Sequence, residues 1–207
     1  RGYLAHCLAE KSPAHISLHY TALVAMFYAM LGVVLSDGGF SFLFFWELMT
    51  VASFLLILFD AQRREVRRAA LSYLIMMHIG FVLLVIGFVR LDAACGAATF
   101  GALGDYFRTQ PGLPLLLVFL AGFGMKAGLF PMHVWLPEAH PAAPSHVSAL
   151  MSGVMIKTGV YGILRVTAAL GEQPLLHTAG VILLAAGVVT GLWGVILAAM
   201  QNDVKRL

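Results

Sequence analysis

Long, continuously apolar stretches dominate this chain of 207 residues. Their residues run together and do not alternate with polar ones, which favours membrane helices over the strands of a membrane barrel. Stretches of about 20 residues are long enough to cross a bilayer. Six are predicted: Ser17 to Leu35, Phe40 to Phe59, Ala69 to Val89, a fourth starting near Gly112, Ser145 to Thr167, and Leu176 to Met200. The predicted fold class is all-α, a polytopic membrane protein, with a single transmembrane domain over residues 1–207.

The fourth span is predicted to be discontinuous. Gly128 and Pro131 follow shortly after Lys126, and three more prolines come next: Pro137, Pro141 and Pro144. Proline lacks a backbone donor and restricts the residue before it. We therefore expect a helix to about Ala127, a break from Gly128 to Pro131, and a second helical piece around residues 133–139. Such breaks line hydrated, protein-enclosed cavities and recur at ion sites.

The composition agrees with a membrane protein. Hydrophobic residues make up 60% of the chain and charged ones 11%, against about 25% charged in soluble domains. The net charge of +3 lies in loops and is no nucleic-acid footprint. The loop containing Arg63, Arg64, Arg67 and Arg68 is predicted to be cytoplasmic by the positive-inside rule, in the inner membrane of a prokaryote. Tracing the spans puts Arg1, Lys11, Lys205 and Arg206 on that side, and Arg90, Arg108 and Arg165 on the other.

Three ionisable residues lie near the middle of apolar spans: Glu47, Lys126 and Lys157. An ionised group at bilayer depth costs at least a few kcal/mol, so it is seldom kept without a partner, a hydrated cavity or a role in charge movement. We predict that these three residues translocate protons. The alternatives are a structural ion pair between helices, or snorkelling to the interface.

Histidines supply further candidates, because imidazole titrates near neutral pH. His78 lies about 14 Å into the third span and is a possible relay. His133, His140 and His146 lie near the broken helix on the arginine-rich side, where they could pass protons or cap helix ends at the interface. Three glycines of the fifth span are predicted to permit close helix packing: Gly153, Gly159 and Gly162.

Nothing in the sequence predicts a redox centre, a metal site or another bound cofactor. Cys7 and Cys95 are too few and too far apart for an iron–sulfur or zinc site. No glycine-rich nucleotide fingerprint is present. We therefore predict no catalytic residues in this chain, and any electron transfer coupled to it must occur in another subunit.

The segment GMKAGLFPMHVWLPEAHPAAPSHVSALMSGVMIKTGVYGILR, together with FFWELMT, carries a family resemblance. It resembles the antiporter-like membrane subunits shared by respiratory complex I (NADH:quinone oxidoreductase), Mrp sodium/proton antiporters and membrane-bound hydrogenases. Within these it is most similar to the large membrane subunit of hydrogenase-4 and formate hydrogenlyase. The resemblance implies two inverted repeats, each with a broken helix. By that comparison the chain is an internal fragment that holds one repeat, without the first and last helices of its parent.

The resemblance also implies roles for individual residues. Glu47 would form an ion pair with Lys126 on the broken helix, and Lys157 would stand in a central polar axis. Lys205 resembles a lysine at the start of a later helix and is a possible relay. The implied function is a proton-translocating subunit of a redox-driven complex, whose partners are other membrane subunits and a hydrophilic redox arm. The alternatives are an Mrp-type sodium/proton antiporter subunit and a non-pumping scaffold that anchors a redox arm.

Overall fold

A computed structural model describes residues 11–201 of the chain. Its helices are α1 Pro13–Leu35, α2 Gly39–Ile57, α3 Arg64–Cys95, α4 Ala102–Thr109, α5 Gly112–Ala127, α6 Leu136–Ala142, α7 Ser145–Ala168 and α8 Pro174–Ala199. A 3₁₀ turn, Leu58–Asp60, extends α2, and α7 contains a π-helical turn at Met151–Met155. The predicted all-α class is confirmed.

Five of these helices are long and apolar enough to cross a membrane: α1, α2 with its 3₁₀ turn, α3, α7 and α8. The sixth predicted span is α5, which is apolar but only 16 residues long. The largest boundary error is in α3, which continues to Cys95 rather than ending at Val89. Beyond it, α4 is a short amphipathic helix that buries Leu103, Tyr106 and Phe107.

Ion pairs mark the two ends of the bundle. At one end, which we call the arginine end, Lys11 pairs with Asp60 at 2.6 Å, next to the loop that carries the arginine cluster. At the opposite end, Arg165 pairs with Asp37 at 2.8 Å and also donates to the Ser36 carbonyl. Lys11 and Arg165 therefore lie at opposite ends, as the predicted threading requires.

Helix α5 lies at the centre and packs between α3 and α7. Its Phe119 and Phe123 stack with each other and contact the aromatic side chains Phe42, Trp46 and Phe88. On the other side, a Cβ placed on Gly159 would lie 2.6 Å from the Ala127 nitrogen and 2.8 Å from the Phe123 oxygen. The backbones of α5 and α7 therefore touch, as predicted for Gly159. The packing role predicted for Gly153 finds no contact in the described part of the chain, since no atom of residues 11–201 lies within 4 Å of a Cβ placed there.

The break in the fourth span begins where the sequence predicts it. Helix α5 ends at Ala127, and Gly128 has φ 74°, a left-handed conformation that favours glycine. The second piece, α6, begins at Leu136 instead of residue 133, because Pro137 fits the first turn of a helix. Trp135 closes the gap by donating its Nε1–H to the Met125 carbonyl at 2.9 Å. That bond satisfies one of the carbonyls left open at the end of α5.

Candidate functional site

Lys126 lies in the last turn of α5 and is 1% exposed. Its ammonium donates to the Thr50 hydroxyl at 2.8 Å and sits 4.8 Å from the ring centroid of Trp46. Thr50 and Trp46 are one helical turn apart on α2, so one face of that helix holds the charge through a hydroxyl and an aromatic ring. An ammonium has three N–H donors. Only one of them has a hydrogen-bond acceptor among the described residues.

Glu47, on the same helix, is bound elsewhere. Its Oε1 lies 3.0 Å from Nε2 of His78 on α3. Its Oε2 is buried and has no hydrogen-bond partner among residues 11–201. The ion pair implied for Glu47 and Lys126 is therefore not formed, because His78 supplies the donor that the carboxylate uses and Thr50 supplies the acceptor for the ammonium. The two charges are still near enough to interact electrostatically.

His78 faces an acceptor on each side of its ring. Nδ1 is 2.9 Å from the Leu74 carbonyl, and Nε2 is 3.0 Å from the Glu47 carboxylate. Nδ1 must therefore carry a hydrogen, and the Nε2–Oε1 contact needs a second one. That second proton sits either on His78, giving an imidazolium and a carboxylate, or on Glu47, giving two neutral groups. Nε2 of His78 and Oε1 of Glu47 are therefore joined by one shared proton.

Lys157 does not join these residues. It lies on the exposed face of α7, whereas its neighbours Thr158 and Gly159 are buried. The reason is helical phase: Gly159 and Gly162 hold one side of α7 against α5, which turns Lys157 away from that contact. Among the described residues the Lys157 side chain is exposed, and its predicted part in proton translocation stays a prediction. A π-helical turn directly precedes this stretch, a feature that is frequent at functional sites.

A half-open cavity of about 430 Å³ lies beside the helix break. Gly128, His133, His140 and Ser148 line it, together with residues of α8. His140 Nδ1 is 2.9 Å from the Ser148 hydroxyl. Its Nε2 and the Nδ1 of His133 are buried and have no hydrogen-bond partner among the described residues. Buried polar atoms are ordinarily matched by protein or by ordered water, so this cavity suits a small water cluster.

Two predicted relay residues remain, and only one of them lies among the described residues. His146, in the first turn of α7, contacts His19 of α1, with 2.8 Å between the two Nε2 atoms. The sequence analysis did not name His19, which the structure buries. Its position in an apolar span, four residues after His15, could have indicated a second histidine of functional interest. Thr50 and Trp46, the neighbours of Lys126, were also missed. Lys205 lies outside the described residues.

No group of three or more histidine, cysteine, aspartate or glutamate side chains within residues 11–201 is arranged to hold a metal ion. His133, His140 and His146, which lie close in sequence, take different partners. His133 stacks on Phe130, His140 binds Ser148, and His146 binds His19.

Two relatives match most of this chain. An uncharacterised protein of Mycobacterium tuberculosis is 42% identical over 198 residues, which cover 93% of this chain and 30% of that protein. Hydrogenase-4 component B of Escherichia coli is 40% identical over 187 residues, covering 86% of this chain and 27% of that protein. The chain therefore spans less than a third of the length of either relative.

Two solved structures share the fold. A chain of the membrane-bound sulfane sulfur reductase, an archaeal respiratory membrane complex, superposes with a TM-score of 0.82 at 30% identity, covering 91% of this chain and 32% of that one. A chain of the Mrp complex from Dietzia also gives a TM-score of 0.82, at 26% identity, covering 92% and 21%. Residues 36–207 match the family model for the transmembrane part of NADH:quinone oxidoreductases and Mrp antiporters. The chain belongs to this family of antiporter-like membrane subunits.

Proposed function

We propose that this chain is part of a proton-translocating subunit in a redox-driven membrane complex of the hydrogenase-4 or complex I kind. The observation that carries the proposal is Lys126, a fully buried lysine whose neighbours are a hydroxyl and an aromatic ring and which has no carboxylate in contact among residues 11–201. An ion pair that served only to join two helices would have its counter-ion in place. Here the carboxylate near the buried ammonium is bound to another residue. This arrangement allows the carboxylate to change partner.

Glu47 and Lys126 have complementary unused groups. The carboxylate has a buried acceptor without a partner, and the ammonium has two N–H donors without acceptors in the described part of the chain. A side-chain rotation of Glu47 from His78 toward Lys126 would satisfy both. We propose that the site alternates between these two pairings.

The alternation would move a proton. When Glu47 turns to Lys126, Coulomb attraction holds the proton on the lysine, and His78 is left to exchange its own. When Glu47 returns to His78, Lys126 keeps only neutral contacts, and its proton can pass to water in the cavity at Gly128. We propose that earlier or later proton-transfer steps use Lys157, His133 and His146. Lys205 is retained as a further candidate.

The driving event is assigned to partners, because the chain supplies no predicted redox centre. We propose other membrane subunits and a hydrophilic redox arm as those partners, since hydrogenase-4 component B is a similar protein and a respiratory membrane complex contains a chain of this fold. The proposed location is the cytoplasmic membrane of a prokaryote, with the Arg63–Arg68 loop in the cytoplasm.

An Mrp-type sodium/proton antiporter subunit is the second candidate, supported by the fold shared with the Mrp complex. Lys126 favours protons over sodium here, since its amine can bind and release a proton, whereas the ammonium has three donors and offers no acceptor to a metal cation. A non-pumping scaffold is the third candidate.

The test uses the full-length parent protein in its complex. Inverted vesicles are energised with hydrogen, formate or NADH in turn, and proton and sodium uptake are recorded beside electron transfer. Lys126→Met removes the charge but keeps the volume; Arg108→Met, on the exposed part of α4, is the matched control. We expect Lys126→Met to abolish proton uptake in an assembled complex, and Arg108→Met to leave it unchanged. Sodium uptake without electron transfer would favour the antiporter, and normal proton uptake in Lys126→Met would favour the scaffold.

A further inference from the structure

A pair of histidines joins α1 to α7 at the arginine end. His19 is 4% exposed, and its Nε2 lies 2.8 Å from Nε2 of His146. The rings meet edge to face, with centroids 5.0 Å apart and an interplanar angle of 81°. Phe59 packs against His19 with its centroid at 4.9 Å, which fixes the ring in this position.

The contact between His19 and His146 requires one proton between the two rings. Two nitrogen atoms at 2.8 Å form a hydrogen bond only if one is protonated and the other is not. The second nitrogen of each imidazole, Nδ1, lies outside this contact. The Nδ1 of His19 is buried and has no hydrogen-bond partner among residues 11–201.

The pair lies between two polar regions. On the α1 side are His15, which packs on the same Phe59, and the Lys11–Asp60 ion pair. On the α7 side, Ser148 follows His146 by two residues and its hydroxyl meets His140, which lines the cavity at the helix break. The pair therefore lies between the ion pair at the arginine end and the segment of α7 that lines the cavity at the helix break.

We propose that His19 and His146 form a two-ring proton relay between the arginine end and the cavity at the helix break. This inference rests on the proposed function. A proton binds Nδ1 of His19 as the His19 Nε2–H bond breaks. The proton released from Nε2 of His19 joins Nε2 of His146, and His146 releases the proton of its own Nδ1. One N–H bond forms and one breaks at each ring, so the net charge of the pair is unchanged.

Other titratable side chains surround the histidine pair. His15 and Lys11 are basic side chains on the α1 side, Asp60 pairs with Lys11, and Tyr20 flanks the ring of His19. A purely structural role for the pair, tying α1 to α7, would need only a hydrogen bond. A relay needs a group that both gains and loses a proton.

His19→Gln separates these roles, because glutamine can donate a hydrogen bond to His146 but cannot relay a proton. The assay is redox-driven proton uptake by the full-length parent complex in inverted vesicles, measured from pH 6 to about 8.5. His177→Gln, at an exposed site on α8, is the matched control. We expect His19→Gln to assemble normally and to slow uptake about tenfold, with the larger loss at high pH where protons are scarce. Uptake equal to that of His177→Gln over the whole pH range would overturn the relay.

His19→Ala provides a second readout. Added imidazole should restore uptake in this variant, whereas pyrazole, which has a similar shape but is a far weaker base, should not. Equal rescue by both compounds would mean that only the packing of His19 matters, and would also overturn the relay. The proposed function fails separately, if Lys126→Met pumps normally. If the His19 variants overturn the relay while Lys126→Met takes up no protons, the proposed function stands.

Discussion

Gly159→Ala is expected to destabilise the contact that positions Lys126. The new Cβ would lie 2.6 Å from the Ala127 nitrogen, 2.8 Å from the Phe123 oxygen and 3.0 Å from the Ala127 Cα. All three are backbone atoms of α5, so no side-chain rotation relieves the overlap. The helices must separate instead.

The size of the effect follows from these distances. Ordinary van der Waals contact begins near 3.4 Å, so α5 and α7 must move apart by roughly 0.8 Å at the closest point. Overpacking of this kind typically costs about 1–3 kcal/mol. Lys126 immediately precedes Ala127, so the same movement shifts its ammonium relative to Thr50, and we expect slower proton uptake as well.

The assay is thermal denaturation of the full-length parent protein in detergent, with Gly153→Ala as the control on the same helix. No described atom lies within 4 Å of a Cβ at Gly153, and replacing a glycine inside a helix by alanine stabilises the fold by about 0.5–1 kcal/mol. We expect Gly159→Ala to lower the midpoint by a few degrees and Gly153→Ala to leave it unchanged or raise it. Equal midpoints for the two variants would refute the close packing of α5 on α7.

Four further variants test three other contacts. Trp135→Phe removes the bond to the Met125 carbonyl and should cost about 1 kcal/mol in thermal stability; an unchanged midpoint would show that the bond does not hold the break. Arg165→Gln should cost about 1–3 kcal/mol and Asp37→Asn less, because the arginine also donates to a backbone carbonyl; the reverse order would contradict this. Thr50→Val removes the hydroxyl that accepts from the buried ammonium, and should reduce both stability, by about 1–3 kcal/mol, and proton uptake; wild-type behaviour would remove that hydroxyl from the site.

Local features of the fold could be predicted from the sequence, because local chemistry determines them. Apolar runs predicted the helices, and Gly128 with the prolines after it predicted the end of α5 at Ala127. The start of α6 was misplaced by three residues, although Pro137 in its first turn is a local signal. The bond from Trp135 across the gap is a tertiary contact that no local pattern reveals.

The pairing of charged groups could not be predicted in the same way. Glu47 can reach more than one donor, and only the packing of α3 beside α2 brings His78 to it. The exposure of Lys157 depends on which face of α7 the glycines hold against α5. His19 acquires a partner 127 residues away, a contact that spacing along the chain does not encode.

Glu47→Gln in the full-length parent complex tests the central claim most directly, since the proposed alternation requires a carboxylate that can meet both His78 and Lys126. Proton uptake per electron is compared with that of Glu65→Gln, an exposed glutamate in the first turn of α3. We predict an assembled complex that transfers electrons but takes up few protons with Glu47→Gln, and normal uptake with Glu65→Gln. Equal proton uptake per electron in the two variants would contradict the account.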